Sequence, residues 1–118
     1  MKIATSTSVL YLYDIFDAVD LVADCGFEGV DIWGGRPHLY RKDYNPTQME
    51  QLKTRLAERN LAVSSFMPAF YRYPHSLSTP NPVVLNDSLE YMRLCINSAA
   101  FLGAPVVLIV PDFSLHGQ

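Results

Sequence analysis

The chain has 118 residues, 49% of them hydrophobic and 18% charged, with a formal net charge of −3 and a pI near 5.4. That balance describes a folded domain rather than a disordered segment. It lacks the basic stripe of a nucleic-acid binder and any apolar run near the ~20 residues of a membrane span.

In chain order, residues 2–6 read as a short first strand, with no basic segment and apolar core ahead of it that would mark a secretory leader. Residues 13–25 read as a helix. Ile15, Val19 and Val22 recur at helical spacing, and Gly26 suits the position just past a helix end. Residues 29–33 (Gly-Val-Asp-Ile-Trp) form a second strand, broken by Gly34-Gly35. After a loop to Tyr44, a second helix starts at a clear signal: Asn45 as N-cap, Pro46 at the first turn and Gln48 closing a capping box. Met49, Leu52 and Leu56 are its inward stripe.

Residues 61–67 read as a third strand, followed by a proline-bearing loop to residue 82 that is too long for an idle connector. A third helix is expected over residues 84–102, its buried stripe being Leu85, Leu89, Met92, Ile96 and Ala99, with Gly103 ending it. Residues 105–110 (Pro-Val-Val-Leu-Ile-Val) are continuously apolar, as in a parallel strand covered on both faces. Cys25 and Cys95 fall within expected helices and read as two buried, reduced thiols, consistent with a cytoplasmic protein.

Four strands separated by three helices define a parallel α/β sheet, either barrel-like or open and doubly wound. Ligands bind such folds at the C-terminal ends of the strands. The segments there are Ser6–Ser8 with Tyr11 and Tyr13; Trp33 through His38; Phe66 through His75; and Pro111, Asp112 and His116. All three histidines and most tyrosines fall in these segments. Aromatic walls with a few His, Arg and Asp groups suit a small polyhydroxy ligand, the rings covering C–H faces and the polar groups bonding hydroxyls.

Plainer roles stand beside each. Trp33 serves equally as core, and Arg36, His38 and His75, taken by residue type and position alone, read first as solvated loop residues. Asp31 is a candidate for a structural pair with Lys2 or another buried group. His38, His75, Asp112 and His116 are conceivable metal ligands without a compact ligand spacing. Gly34-Gly35 has neither phosphate-loop spacing and reads as a tight turn.

The run Gly26-Phe-Glu-Gly-Val-Asp-Ile-Trp-Gly-Gly-Arg-Pro-His38 resembles the second strand and following loop of the fructoselysine 3-epimerase group, within the xylose-isomerase-like TIM barrels, also described as sugar phosphate isomerases/epimerases. Pro68 with Tyr73-Pro74, and Ser88-Leu89-Glu90, extend the resemblance across the chain. It implies that residues 1–118 are the N-terminal half of a (βα)8 TIM barrel, a partial barrel of four strands and three helices. A complete barrel of this kind has ~250 residues.

The resemblance further implies a metal-dependent sugar isomerase or epimerase that moves a proton next to a ketose carbonyl. The divalent metal would be held by Glu, Asp, His and Glu on later strands, beyond residue 118, leaving this chain alone inactive. Trp33, Arg36, His38, Tyr73 and His75 are the substrate contacts it carries over, and it supplies no catalytic residue of this chain. The expected partner is a small-molecule sugar, with no nucleic acid and no membrane; open sheet edges favour homo-oligomers. Two alternatives are a non-catalytic, self-associating half-barrel that binds sugars, and an endonuclease IV-like DNA repair barrel. The acidic charge disfavours the second.

Overall fold

The structure, a computed structural model, describes residues 1–70 and 73–110. It is an α/β unit in which β1 (Ala4–Ser6), β2 (Gly29–Trp33) and β3 (Ala62–Met67) form a parallel sheet in the order β1-β2-β3, joined by α1 (Ile15–Asp24) and α2 (Pro46–Glu58). α3 (Pro82–Leu102) follows β3. Consecutive parallel neighbours with a helix between them are the repeating unit of a TIM barrel.

Residues 105–110 are not a full fourth strand. They meet β3 through one parallel bridge, Phe66 to Val107: the Phe66 N–H donates to the Val106 carbonyl and the Leu108 N–H to the Phe66 carbonyl, at 2.9 and 2.8 Å. Among the described residues no strand pairs with their far side, so nothing extends the ladder. Val106, Leu108 and Ile109 are accordingly exposed.

Side-chain alternation decides what each face of the sheet carries. Val30 and Ile32 point into a core with Val19, Val22, Leu52 and Leu56, while Asp31 and Trp33 are half-buried on the opposite face. Ser64 is an extra residue opposite the Val30–Asp31 step, a β-bulge. The bulge lets Val63 and Phe66 both reach the core although they are an odd number of residues apart. It also sets Ser65 beside Asp31, and the Ser65 hydroxyl donates to the Asp31 carboxylate at 2.6 Å. Asp31 therefore has a structural pair, with Ser65 and not Lys2 as its partner.

The capping box of α2 forms as its residues require: the Gln48 N–H donates to the Asn45 side chain at 2.9 Å and the Asn45 N–H to the Gln48 side chain at 3.0 Å. Asp14 caps α1 by accepting from Phe16 and Asp17, and Asn81 caps α3, with Pro82 as its first residue rather than the end of the preceding loop. Gly103 ends α3 at φ 77, the left-handed conformation that glycine adopts without a Cβ clash.

Two further sequence expectations are corrected. Cys25 is the exposed C-cap of α1, not a buried helical thiol; Cys95 is buried as expected. The buried face of α3 is Ser88, Tyr91, Met92, Cys95, Ser98, Ala99 and Leu102, so only Met92 and Ala99 of the anticipated stripe belong to it, while Leu89 and Ile96 are exposed. The serines can lie inside because each hydroxyl donates to the carbonyl four residues earlier, Ser88 to Val84 at 2.7 Å and Ser98 to Leu94 at 2.9 Å.

Candidate active site at the C-terminal ends of the strands

The loops leaving β1, β2 and β3 converge, and buried polar side chains tie them together. Thr7, fully buried in the single 3-10 turn after β1, accepts the Trp33 N–H at 3.0 Å. The Trp33 carbonyl accepts the Leu39 N–H at 3.2 Å, closing the loop after β2 into a compact turn. Gly35 lies under the indole: a Cβ there would sit 2.2 Å from Trp33 Cζ2, so any side chain at this position would force the ring to shift. Gly34 presses against the end of β3, its N–H donating to the Met67 carbonyl at 2.7 Å. The Arg36–Pro37 peptide is cis.

His38 is 1% exposed. Its Nε2 lies 3.2 Å from the Leu10 carbonyl and 3.1 Å from the Tyr13 carbonyl. Carbonyls only accept, so Nε2 carries the proton, and Nδ1 keeps a bare lone pair, buried and with no hydrogen-bond partner among the described residues. Burial pushes the His38 pKa down, against the pull of those two carbonyls. The ring meets Trp33 edge-on at 5.7 Å.

His75, on the loop after β3, is 5% exposed and stacks flat on Tyr91 of α3, the centroids 4.0 Å apart. Its Nε2 is 3.0 Å from the Tyr40 hydroxyl and its Nδ1 is 3.4 Å from the Asp87 carboxylate. Burial lowers its pKa, opposed by Asp87. Burial likewise raises the Tyr40 phenol.

Arg36 is the exposed member of the cluster. It makes a bidentate pair with Asp43 at 2.6 and 2.8 Å and lies 4.6 Å over the Tyr40 ring. The pair raises the Arg36 pKa and holds the Asp43 carboxyl below its usual value. Lys42 does the same for Asp87, at 3.0 Å. Tyr73 crosses between loops: its hydroxyl accepts the Arg36 N–H at 2.6 Å, and its ring meets Trp33 edge-on at 6.4 Å.

The five residues singled out from sequence therefore lie in one connected cluster, with unequal access. Arg36 is exposed and Trp33 and Tyr73 half-buried, whereas His38 and His75 are interior rings holding loops in place. Thr7 was legible as part of the segment after the first strand. Tyr40, Asp87 and Tyr91 gave no separate signal, because their partners lie on elements far apart in sequence; Asp43 gave none either, although its partner Arg36 is in the same loop. Asp112 and His116 lie outside the described residues. Among the described residues no three His, Cys, Asp or Glu groups come together to hold a metal ion, and His38 offers only a single free nitrogen. The described residues therefore do not fit the divalent metal implied by the resemblance.

Residues 19–118 match a protein-family model described as "Xylose isomerase-like TIM barrel". Among curated proteins the chain is similar to "Fructoselysine 3-epimerase" of Shigella flexneri, 26% identical over 87 residues, covering 74% of this chain and 32% of the relative. It is similar also to the protein of that name from Escherichia coli O157:H7, 25% identical over the same span. The chain thus spans about a third of the length of the curated relatives it matches. Among solved structures it is similar to D-psicose 3-epimerase in the presence of D-fructose, with a TM-score of 0.75, 12% identity, and coverage of 100% of this chain and 42% of that one. A second is D-psicose 3-epimerase with D-tagatose from Clostridium cellulolyticum H10, with a TM-score of 0.70, 15% identity, and coverage of 92% and 37%. At these identities the structural likeness speaks for the fold alone.

Proposed function

This chain belongs to the xylose isomerase-like TIM barrel family, and from that premise we propose that residues 1–118 supply the N-terminal half of a sugar isomerase or epimerase domain that moves a proton beside a ketose carbonyl. The observation that carries the reading is the wall formed where the strands end. Trp33 and Tyr73 meet edge to face at 6.4 Å, with Arg36 beside them and all three accessible. Aromatic faces cover the C–H side of a sugar, and the guanidinium donates to its hydroxyls.

In this reading Trp33, Arg36 and Tyr73 touch the substrate. His38 and His75 orient the loops that carry them, His38 by donating from Nε2 to the loop after β1 and His75 through Tyr40. Asp43 fixes the direction of the Arg36 fork, so less conformational freedom is lost when a hydroxyl binds. The proton-transferring carboxylates and the divalent metal are assigned to strands beyond residue 118, and this chain on its own is expected to bind without turnover. A cytoplasmic location agrees with the two unpaired thiols, and no helix among the described residues is long and apolar enough to cross a membrane.

Trp33 is the only tryptophan, so its fluorescence reports on this wall directly. D-fructose is expected to change that emission saturably, and Arg36→Ala to weaken the response roughly tenfold, the worth of a hydrogen bond from a charged donor. In the complete enzyme the same change is expected to raise KM or lower kcat for a ketose. An emission indifferent to D-fructose and other ketoses, with unaltered kinetics in the variant, removes the sugar site from these loops.

A further inference from the structure

Tyr91 lies inside α3, fully buried, and neither the family match nor the proposed reaction assigns it a role. Its surroundings show an interrupted β ladder. In a parallel sheet, a residue whose N–H donates to the carbonyl of residue j−1 on the next strand accepts, at its own carbonyl, the N–H of residue j+1. Phe66 obeys this with its neighbours, donating to Val106 and accepting from Leu108.

Gly34 starts the same pattern by donating to the Met67 carbonyl at 2.7 Å. By the same rule the partner for its own carbonyl would be the N–H of Ala69, two residues beyond Met67. That bond is replaced. The Ala69 N–H donates to the Tyr91 hydroxyl at 2.8 Å, and the Tyr91 hydroxyl donates to the Gly34 carbonyl at 3.2 Å. The phenol is thus inserted into the last rung between β2 and β3. Both backbone groups stay satisfied while the strands part, at the point where the two site loops begin. A second phenol bridges the same loops further out, Tyr73 accepting the Arg36 N–H at 2.6 Å.

We propose that Tyr91 is a positioning residue: its hydroxyl, wedged between Gly34 and Ala69, sets the separation of the loops after β2 and β3 and so the spacing of Trp33 and Arg36 from Tyr73. The part of this that concerns sugar binding rests on the proposed function; the wedge itself does not. The surroundings hold the phenol in place. The ring is sandwiched among His75 at 4.0 Å, Tyr40 at 5.4 Å and Phe70 at 5.9 Å, with Cys95 one helical turn along, so it has little freedom to swing away. Burial raises the phenol pKa, which keeps the hydroxyl protonated and able to donate and accept at once.

The test is Tyr91→Phe, which keeps the ring and deletes the wedge. Expected are native helix content, a shifted Trp33 emission maximum, altered hydrogen exchange of the Ala69 amide and roughly fivefold weaker D-fructose binding, the worth of one buried hydrogen bond. Met92→Ala, on the same helix face but away from the rung, destabilises the chain and is expected to leave Trp33 emission and D-fructose affinity unchanged. Unaltered Trp33 emission and Ala69 exchange in Tyr91→Phe overturns the proposal, as does an equal loss of affinity in Met92→Ala. If the unmodified chain binds no D-fructose, the sugar reading fails, and the Trp33 and Ala69 readouts still decide the wedge. Should Tyr91→Phe not fold, NMR of the unmodified protein decides: a slowly exchanging Tyr91 hydroxyl proton close to the Ala69 amide supports the wedge, and its absence overturns it.

Discussion

Gly35 and Trp33 illustrate how a pair of adjacent signals can be half legible. The Gly-Gly step after the second strand reads as a tight turn; in the structure Gly34 still donates to β3, the chain bends at Gly35, and the turn itself falls at Arg36 and Pro37. The stronger constraint on Gly35 is the indole two residues earlier, which occupies the space a Cβ would need. Gly35→Ala is therefore expected to displace Trp33 and to cost about 1–3 kcal/mol, the usual range for overpacking. A shifted emission maximum and a lower urea midpoint would register it; an unchanged spectrum would mean that the indole does not rest on Gly35. His38 and His75 are similar cases. Residue type and loop position mark them as polar groups near a site, but their burial depends on other elements: His38 on the Leu10 and Tyr13 carbonyls, 28 and 25 residues away, and His75 on Tyr40, 35 residues away, and on Tyr91 of α3.

Among the elements, the start of α2 was readable to the residue because its capping signals are local: Asn45 and Gln48 exchange side-chain and backbone hydrogen bonds, and Pro46 takes the first position of the helix. α3 was readable in existence but not in orientation. A stripe chosen by large apolar residues takes Leu89 and Ile96 inward, whereas the helix buries Ser88, Tyr91, Cys95 and Ser98. A serine hydroxyl that bonds to its own helix ceases to be a polar group for its neighbours, and sequence patterning cannot know that it will. Leu89→Ser and Ile96→Ser are expected to change unfolding free energy by no more than about 0.5 kcal/mol, and Met92→Ala to cost about 2–5 kcal/mol. Urea denaturation of the three variants distinguishes the observed face from the anticipated one, for which Leu89→Ser would be among the costly changes. The bulge at Ser64 is likewise invisible to an alternation argument, and it decides which side of the sheet Ser65 faces.

For the molecule as a whole, burial of the two imidazoles predicts how stability varies with pH. Both have folded-state pKa values below the ordinary 6.5. Below that value the unfolded chain binds protons that the native chain resists, so stability is full above about pH 6.5 and declines as the pH falls toward the folded pKa values. Asp43 and Asp87, held below 3.8 by Arg36 and Lys42, titrate in a lower window and do not obscure this one. The urea midpoint is expected to fall between about pH 7.5 and pH 5.5, and less steeply in a His38→Gln, His75→Gln variant; equal slopes would mean that neither ring is held neutral by the fold. The alternation of strands and helices, the family, and the loops that gather at one end could be read from the residues alone, because periodicity, caps and the Trp-Gly-Gly-Arg-Pro-His run are written in neighbouring positions. The single bridge made by residues 105–110, the interior position of His38 and His75, and the tyrosine from α3 that completes the last rung between β2 and β3 follow from the folded chain. Each of these depends on which distant backbone groups are left to pair, a quantity fixed when the chain closes on itself.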